Sequence, residues 1–126
     1  MKHQDVEKYL LEQGLREVSR TKKAIGFSVD GGQAEAYVNT ESVSDNNTLI
    51  IHPHFANMRD ELLEIPGVIP GTAEYRFSSN YGHFPRATTK NGKENYHGIP
   101  LGFSSTSAIQ ALLEAINMTV IESSQA

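Results

Sequence analysis

The stretch Asn95-Tyr96-His97-Gly98-Ile99-Pro100-Leu101-Gly102-Phe103-Ser104-Ser105-Thr106 constrains the fold more than any other part of this chain. Glycine lets a strand bend or approach a neighbour closely, and proline cannot donate to a ladder. Ser and Thr side chains accept from the exposed first-turn amides of a helix. The stretch therefore reads as an extended last strand that hands over to a capped helix. Ala108, Ile109, Leu112, Leu113, Ile116 and Val120 supply that helix with its buried stripe. Pro100 marks an edge or bulge position, and Phe103 plugs the core where strand meets helix.

The rest of the chain supplies partners for this strand. Val6, Tyr9, Leu10 and Leu11 form one apolar stripe of a helix over 5–13. Gly14 is its left-handed stop, and Leu15 folds back on the stripe. Period two then takes over: a polar strand over 15–20, and a second over 24–29 with Ile25, Phe27 and Val29 on one face. Asp30, Gly31 and Gly32 make a hairpin turn, since positive φ costs glycine nothing. In the returning strand Ala34, Ala36 and Val38 alternate with Gln33, Glu35, Tyr37 and Asn39.

Leu49 to Ile51 is a short apolar strand, ended by Pro53. Phe55, Met58, Leu62 and Leu63 recur at helical spacing, which predicts a second helix over 55–64. Val68 and Ile69 read as an apolar loop between proline–glycine breaks, and exposed it would mark a partner surface. Tyr75 and Phe77 point inward from a strand over 74–78. Residues 79–94 read as a mobile loop. The order is helix, several strands, helix, two strands, helix: an α+β sandwich of two layers with a mainly antiparallel sheet.

Length and charge narrow the function. A chain of 126 residues is one domain over 1–126, able to bury a core without staples, and it has no Cys for disulfide or thiol chemistry. Absence of Cys leans towards a reducing compartment. A net charge of −4 argues against a sequence-independent nucleic-acid binder but leaves room for a local basic patch. The N-terminal residues lack a signal-peptide apolar core, and no apolar run is long enough to cross a bilayer. The chain reads as soluble and cytoplasmic, with no membrane partner. Its polar tail from about residue 122 frays.

Few residues invite chemistry. His52 and His54, two apart in extended backbone, point the same way and are weak metal candidates, with His83 or His97 completing the set. A strand-end histidine bonded to a carbonyl is the blander reading, and no metal or other cofactor is implied. Asp60, Glu61 and Glu64 suit an exposed charged face better than paired acid–base work. Ser104 and Ser105 lack a nucleophile elbow and suit helix capping. Between 81 and 96, Tyr81, His83, Phe84, Arg86, Lys90, Lys93 and Tyr96 interleave rings with cations, as single-stranded nucleic acid or a nucleotide requires. A polar loop with its aromatics tucked over the sheet edge is the simpler account.

Four pieces of sequence give this chain a resemblance: Ala36-Tyr37-Val38-Asn39, Leu49-Ile50-Ile51-His52-Pro53, Phe84-Pro85, and the run from Gly98 to Ser105. It resembles the YgaC-type family of small bacterial cytoplasmic proteins of uncharacterised function, over nearly its whole length. The order Tyr96-His97 departs from that family's His-Tyr, and the segment between His54 and Tyr75 matches poorly. The resemblance implies grouping with the N-terminal domain of the competence regulator TfoX, in a fold like the type III secretion chaperones. The implied order is one helix, three strands, a helix, two strands and a helix. It carries over no catalytic residues.

Together these readings favour a non-enzymatic binding or protein-interaction module, self-associating as a homodimer through a sheet edge or helix face, or meeting a protein partner. The rivals are a nucleic-acid or nucleotide binder using the 81–96 loop, and a small metal-dependent enzyme. The candidate ligand contacts are His52, His83, Arg86, Tyr96 and His97.

Overall fold

A computed structural model describes residues 1–41 and 44–120. Helix α1 (His3–Glu12) buries Val6 and Leu10 and stops at Gly14, whose φ is +87°. Leu15 donates its amide to the Leu10 carbonyl at 3.1 Å and turns its own side chain into the core. Strands β1 (Arg16–Arg20), β2 (Ala24–Ser28), β3 (Ala36–Asn39) and β4 (Leu49–Ile51) follow as an antiparallel meander. At the β2–β3 turn Gly31 has φ +86°, and the Asp30 carboxylate accepts from the Gly32 amide at 2.9 Å.

After β4 the chain makes a 3₁₀ turn over Pro53–Met58 and then the short helix α2 (Arg59–Leu63), not one helix over 55–64. His52 caps the turn and Pro53 opens it, so winding begins before the apolar stripe. Strands β5 (Val68–Pro70), β6 (Arg76–Phe77), β7 (Arg86–Thr88) and β8 (Glu94–Phe103) precede α3 (Thr106–Ala115). Val68 and Ile69 are therefore ladder residues opposite Phe103 and Gly102, not a loop or an exposed tip. Residues 79–94 are no free loop either. They contain β7, and Tyr81 and Phe84 are buried.

Strand β8 is the centre of the sheet, paired antiparallel with β4, β5, β6 and β7. Neighbouring residues aim their backbone groups at opposite edges. Thus the Tyr96 carbonyl accepts from Ser78, just past β6, while the His97 amide donates to Pro85, just before β7. Pro100 lies inside this strand, neither at a sheet edge nor in a bulge. It is opposite Ile50, and its carbonyl accepts from Gly71 at 3.2 Å on the other side. Its missing N–H points to that same side, between β5 and β6, where no ladder partner is lost.

Helices α1 and α3 cover one face, in a core with Phe27, Val38, Ile51, Leu101 and Phe103. The other face carries a smaller core of Ala24, Ala34, Tyr37, Ile50, Tyr81 and Phe84. Tyr37 had alternated with polar residues in sequence, yet it is 1% exposed because Tyr81 and Phe84 roof it over. Helix α3 ends early because Asn117 adopts φ +60° and Met118 donates back to the Leu113 carbonyl. Val120 is therefore outside the stripe and 37% exposed. The tail from 122 lies outside the described residues. No helix among them is long and apolar enough to cross a membrane.

Candidate functional site

The histidines divide by what their ring nitrogens already hold. His83 Nδ1 accepts from the Ala34 amide at 2.7 Å, and the His83 amide donates to the Tyr37 hydroxyl at 2.9 Å. It ties the 78–85 segment to β3. His52 Nδ1 accepts from the His54 amide at 3.0 Å. Burial first, then the nearby His54 and His97, lowers the His52 pKa from its ordinary 6.5. Both effects favour a neutral ring with its proton on Nε2.

His97 differs. Its Nδ1 lies 2.8 Å from the Pro85 carbonyl, which can only accept, so that nitrogen bears a proton and Nε2 is the ring's outer nitrogen. A metal-ligating histidine is oriented in this way. No partners join it: among the described residues no three His, Asp or Glu side chains gather to hold a metal. The set of His52 and His54 with His83 or His97 is not assembled, because His52 and His83 spend Nδ1 on backbone amides.

The interleaved rings and cations also separate. Tyr81 and Phe84 are buried against Tyr37, with centroid distances of 5.3 and 4.8 Å, and offer no stacking face to solvent. Burial pushes the Tyr81 pKa up to about 12. The Arg76 guanidinium beside it works against that rise, and among the described residues neither the Tyr81 hydroxyl nor Arg76 Nε has a partner at hydrogen-bonding geometry. Arg86 and Tyr96 do meet, opposite each other on β7 and β8, with the guanidinium 5.4 Å from the ring centroid. The serines are structural: Ser105 Oγ accepts from the Ala108 amide at 3.2 Å, and Ser104 Oγ donates to the Gly67 carbonyl. Asp60, Glu61 and Glu64 are exposed.

What the sequence does not single out is a groove of about 470 Å³ lined by Thr72, Ala73, Glu74, Tyr75, Phe77 and Lys90. Phe77 is opposite His97 in register, on the helical face but beyond the core, which ends on β8 at Ile99. The rings of Phe77 and His97 stack at 5.7 Å and 18°, and Tyr75 stands edge-on to His97 at 5.2 Å. Side chains fix the groove's wall at both ends. Asn47 bonds the Thr72 amide at 3.0 Å and its hydroxyl at 2.8 Å, and Arg59 donates to the Glu74 carbonyl at 2.7 Å. Alternation had marked Tyr75 and Phe77 as inward. Lys90, in the turn between β7 and β8, lines the same groove.

These features define a small α+β protein with three α-helices among the described residues and a mostly antiparallel sheet. Residues 1–117 match the family described as "Protein of unknown function (DUF2002)", and the chain belongs to that family. It is also similar to the "Uncharacterized protein YgaC" of Escherichia coli O6:H1 (strain CFT073), Escherichia coli O157:H7 and Shigella flexneri. Each is 29% identical over 110 residues, covering 79% of this chain and 90% of the relative. The YgaC-like resemblance thus holds.

Proposed function

We propose that the chain is a non-enzymatic binding module whose contact surface is the groove beside β6 and the β7–β8 hairpin. The observation that carries this reading is that Phe77 and His97 stand only half-buried past the end of the core, beside Tyr75 at its margin, against a wall pinned by Asn47 and Arg59. A concavity of about 470 Å³ with rings and few polar groups is of ligand-site size. Among the described residues His52, His83, Ser104 and Ser105 are engaged in bonds to the backbone, which gives them structural work. The secretion-chaperone-like layering implied by the family resemblance favours the same class. Strand β1 carries Arg16, Glu17 and Arg20 along its edge, which discourages pairing with a second copy there. The groove is therefore the better contact surface.

Affinity capture from the native cell with the intact chain and with Phe77→Ala tests this. A partner that binds the former and not the latter supports it. A clean monomer by light scattering, with nothing captured, overturns it. A second reading, a nucleotide or single-stranded nucleic acid, is favoured by the exposed Arg86 lying over Tyr96. It fails if single-stranded DNA and RNA at low salt leave the Arg86 and Tyr96 amide resonances unmoved.

A further inference from the structure

The groove's chemistry narrows its occupant, granted that it is the contact surface. Two rings give a ligand a flat seat: Phe77, held parallel to His97, and Tyr75, set at a steep angle to that stack. Two opposite charges frame them. Glu74 is on the wall that leads into β6, and Lys90 is on the turn between β7 and β8. Glu74 precedes β6 and Lys90 follows β7, strands that pair with opposite edges of β8, and both residues line the groove. Among the described residues neither side chain is in an ion pair. Thr72 accepts a bond at its hydroxyl oxygen from Asn47, so its own proton remains free to donate.

A ligand carrying only negative charge would meet Lys90 and confront Glu74. A nucleic-acid strand would do so repeatedly, on a chain already at net −4. A ligand carrying only positive charge has the reverse defect. A flat ring bearing one ammonium and one carboxylate uses both charges and the Thr72 hydroxyl of the lining. We propose that the groove binds a free aromatic α-amino acid. Its ring lies on Phe77 and Tyr75, its ammonium faces Glu74, and its carboxylate faces Lys90 and the Thr72 hydroxyl. The wall is already held by Asn47 and Arg59, so little ordering is required on binding.

Titration of the intact ¹⁵N-labelled chain with L-phenylalanine tests the inference, with phenethylamine, 3-phenylpropionate and AMP as companion probes. L-phenylalanine is expected to move the amides of Glu74, Tyr75, Phe77 and Lys90, and each single-charge analogue to bind about fivefold more weakly. Glu74→Gln weakens L-phenylalanine while sparing 3-phenylpropionate, and Lys90→Gln weakens it while sparing phenethylamine. Both side chains are exposed, and the same spectra report whether each variant is folded. Absence of shifts with L-phenylalanine at about 10 mM, equal binding of the analogues, or tighter binding of AMP overturns the inference. If in that event a partner is still captured through Phe77, the binding-module reading stands. If nothing is captured either, both fall.

Discussion

A methyl group at Gly98 would sit 2.5 Å from Ile50 Cγ2 and 2.8 Å from the Ile51 carbonyl, with the Phe84 ring at 3.0 Å. Gly98→Ala is therefore expected to cost about 1–3 kcal/mol, read as a lower urea midpoint. His83→Ala leaves the Ala34 amide without its acceptor and is expected to cost about 1–3 kcal/mol by the same measure. His52 adds a pH dependence. Its folded pKa lies below the ordinary value, so the unfolded chain takes up its proton first as pH falls. The stability linked to a neutral His52 is present above about pH 6.5 and is lost as pH drops towards the folded pKa. His52→Asn keeps a capping acceptor and removes the titration, so its urea midpoint should fall less steeply over that window. These roles were illegible in sequence for a physical reason. His83 finds its acceptor role 49 residues away, at an amide whose need depends on the sheet. By contrast, Gly14 announced its left-handed turn locally, and φ +87° agrees.

At the scale of elements, what was legible followed from local periodicity. Helix α1, the meander and α3 each carry their own pattern, and Ser105 occupies the cap that the hydroxyl run offered. Ser105→Ala is expected to cost about 0.5–2 kcal/mol, with faster amide exchange confined first to the start of α3. Strands β5 and β7 carry no such signal. Each is three residues long, and one ends in proline while the other reads Arg86, Ala87, Thr88. They are strands because β8 offers them unpaired edges. The same dependence explains the groove: Tyr75 and Phe77 advertise a strand, but not that the core stops at Ile99 on its neighbour. The polar 79–94 segment hid its role because only Tyr81 and Phe84 in it are apolar anchors, and both insert over Tyr37.

For the molecule as a whole, two cores of unequal size share one sheet, and they should respond differently to change. Tyr81→Phe removes a buried hydroxyl that makes no hydrogen bond among the described residues and only neighbours Arg76, so global stability is expected to move by less than about 1 kcal/mol. Phe84→Ala, which empties the smaller core, is expected to cost about 3–5 kcal/mol. Thermal unfolding of the two variants side by side checks the contrast. The central place of β8 has one more consequence, for synthesis. Thr48, just before β4, waits 53 residues for its partner Leu101. At about 5–20 residues per second, a ribosome leaves the flank of β4 open for roughly 3–10 s. During that interval the N-terminal meander is an unfinished template, and whatever shields it then governs how much of this protein a cell accumulates.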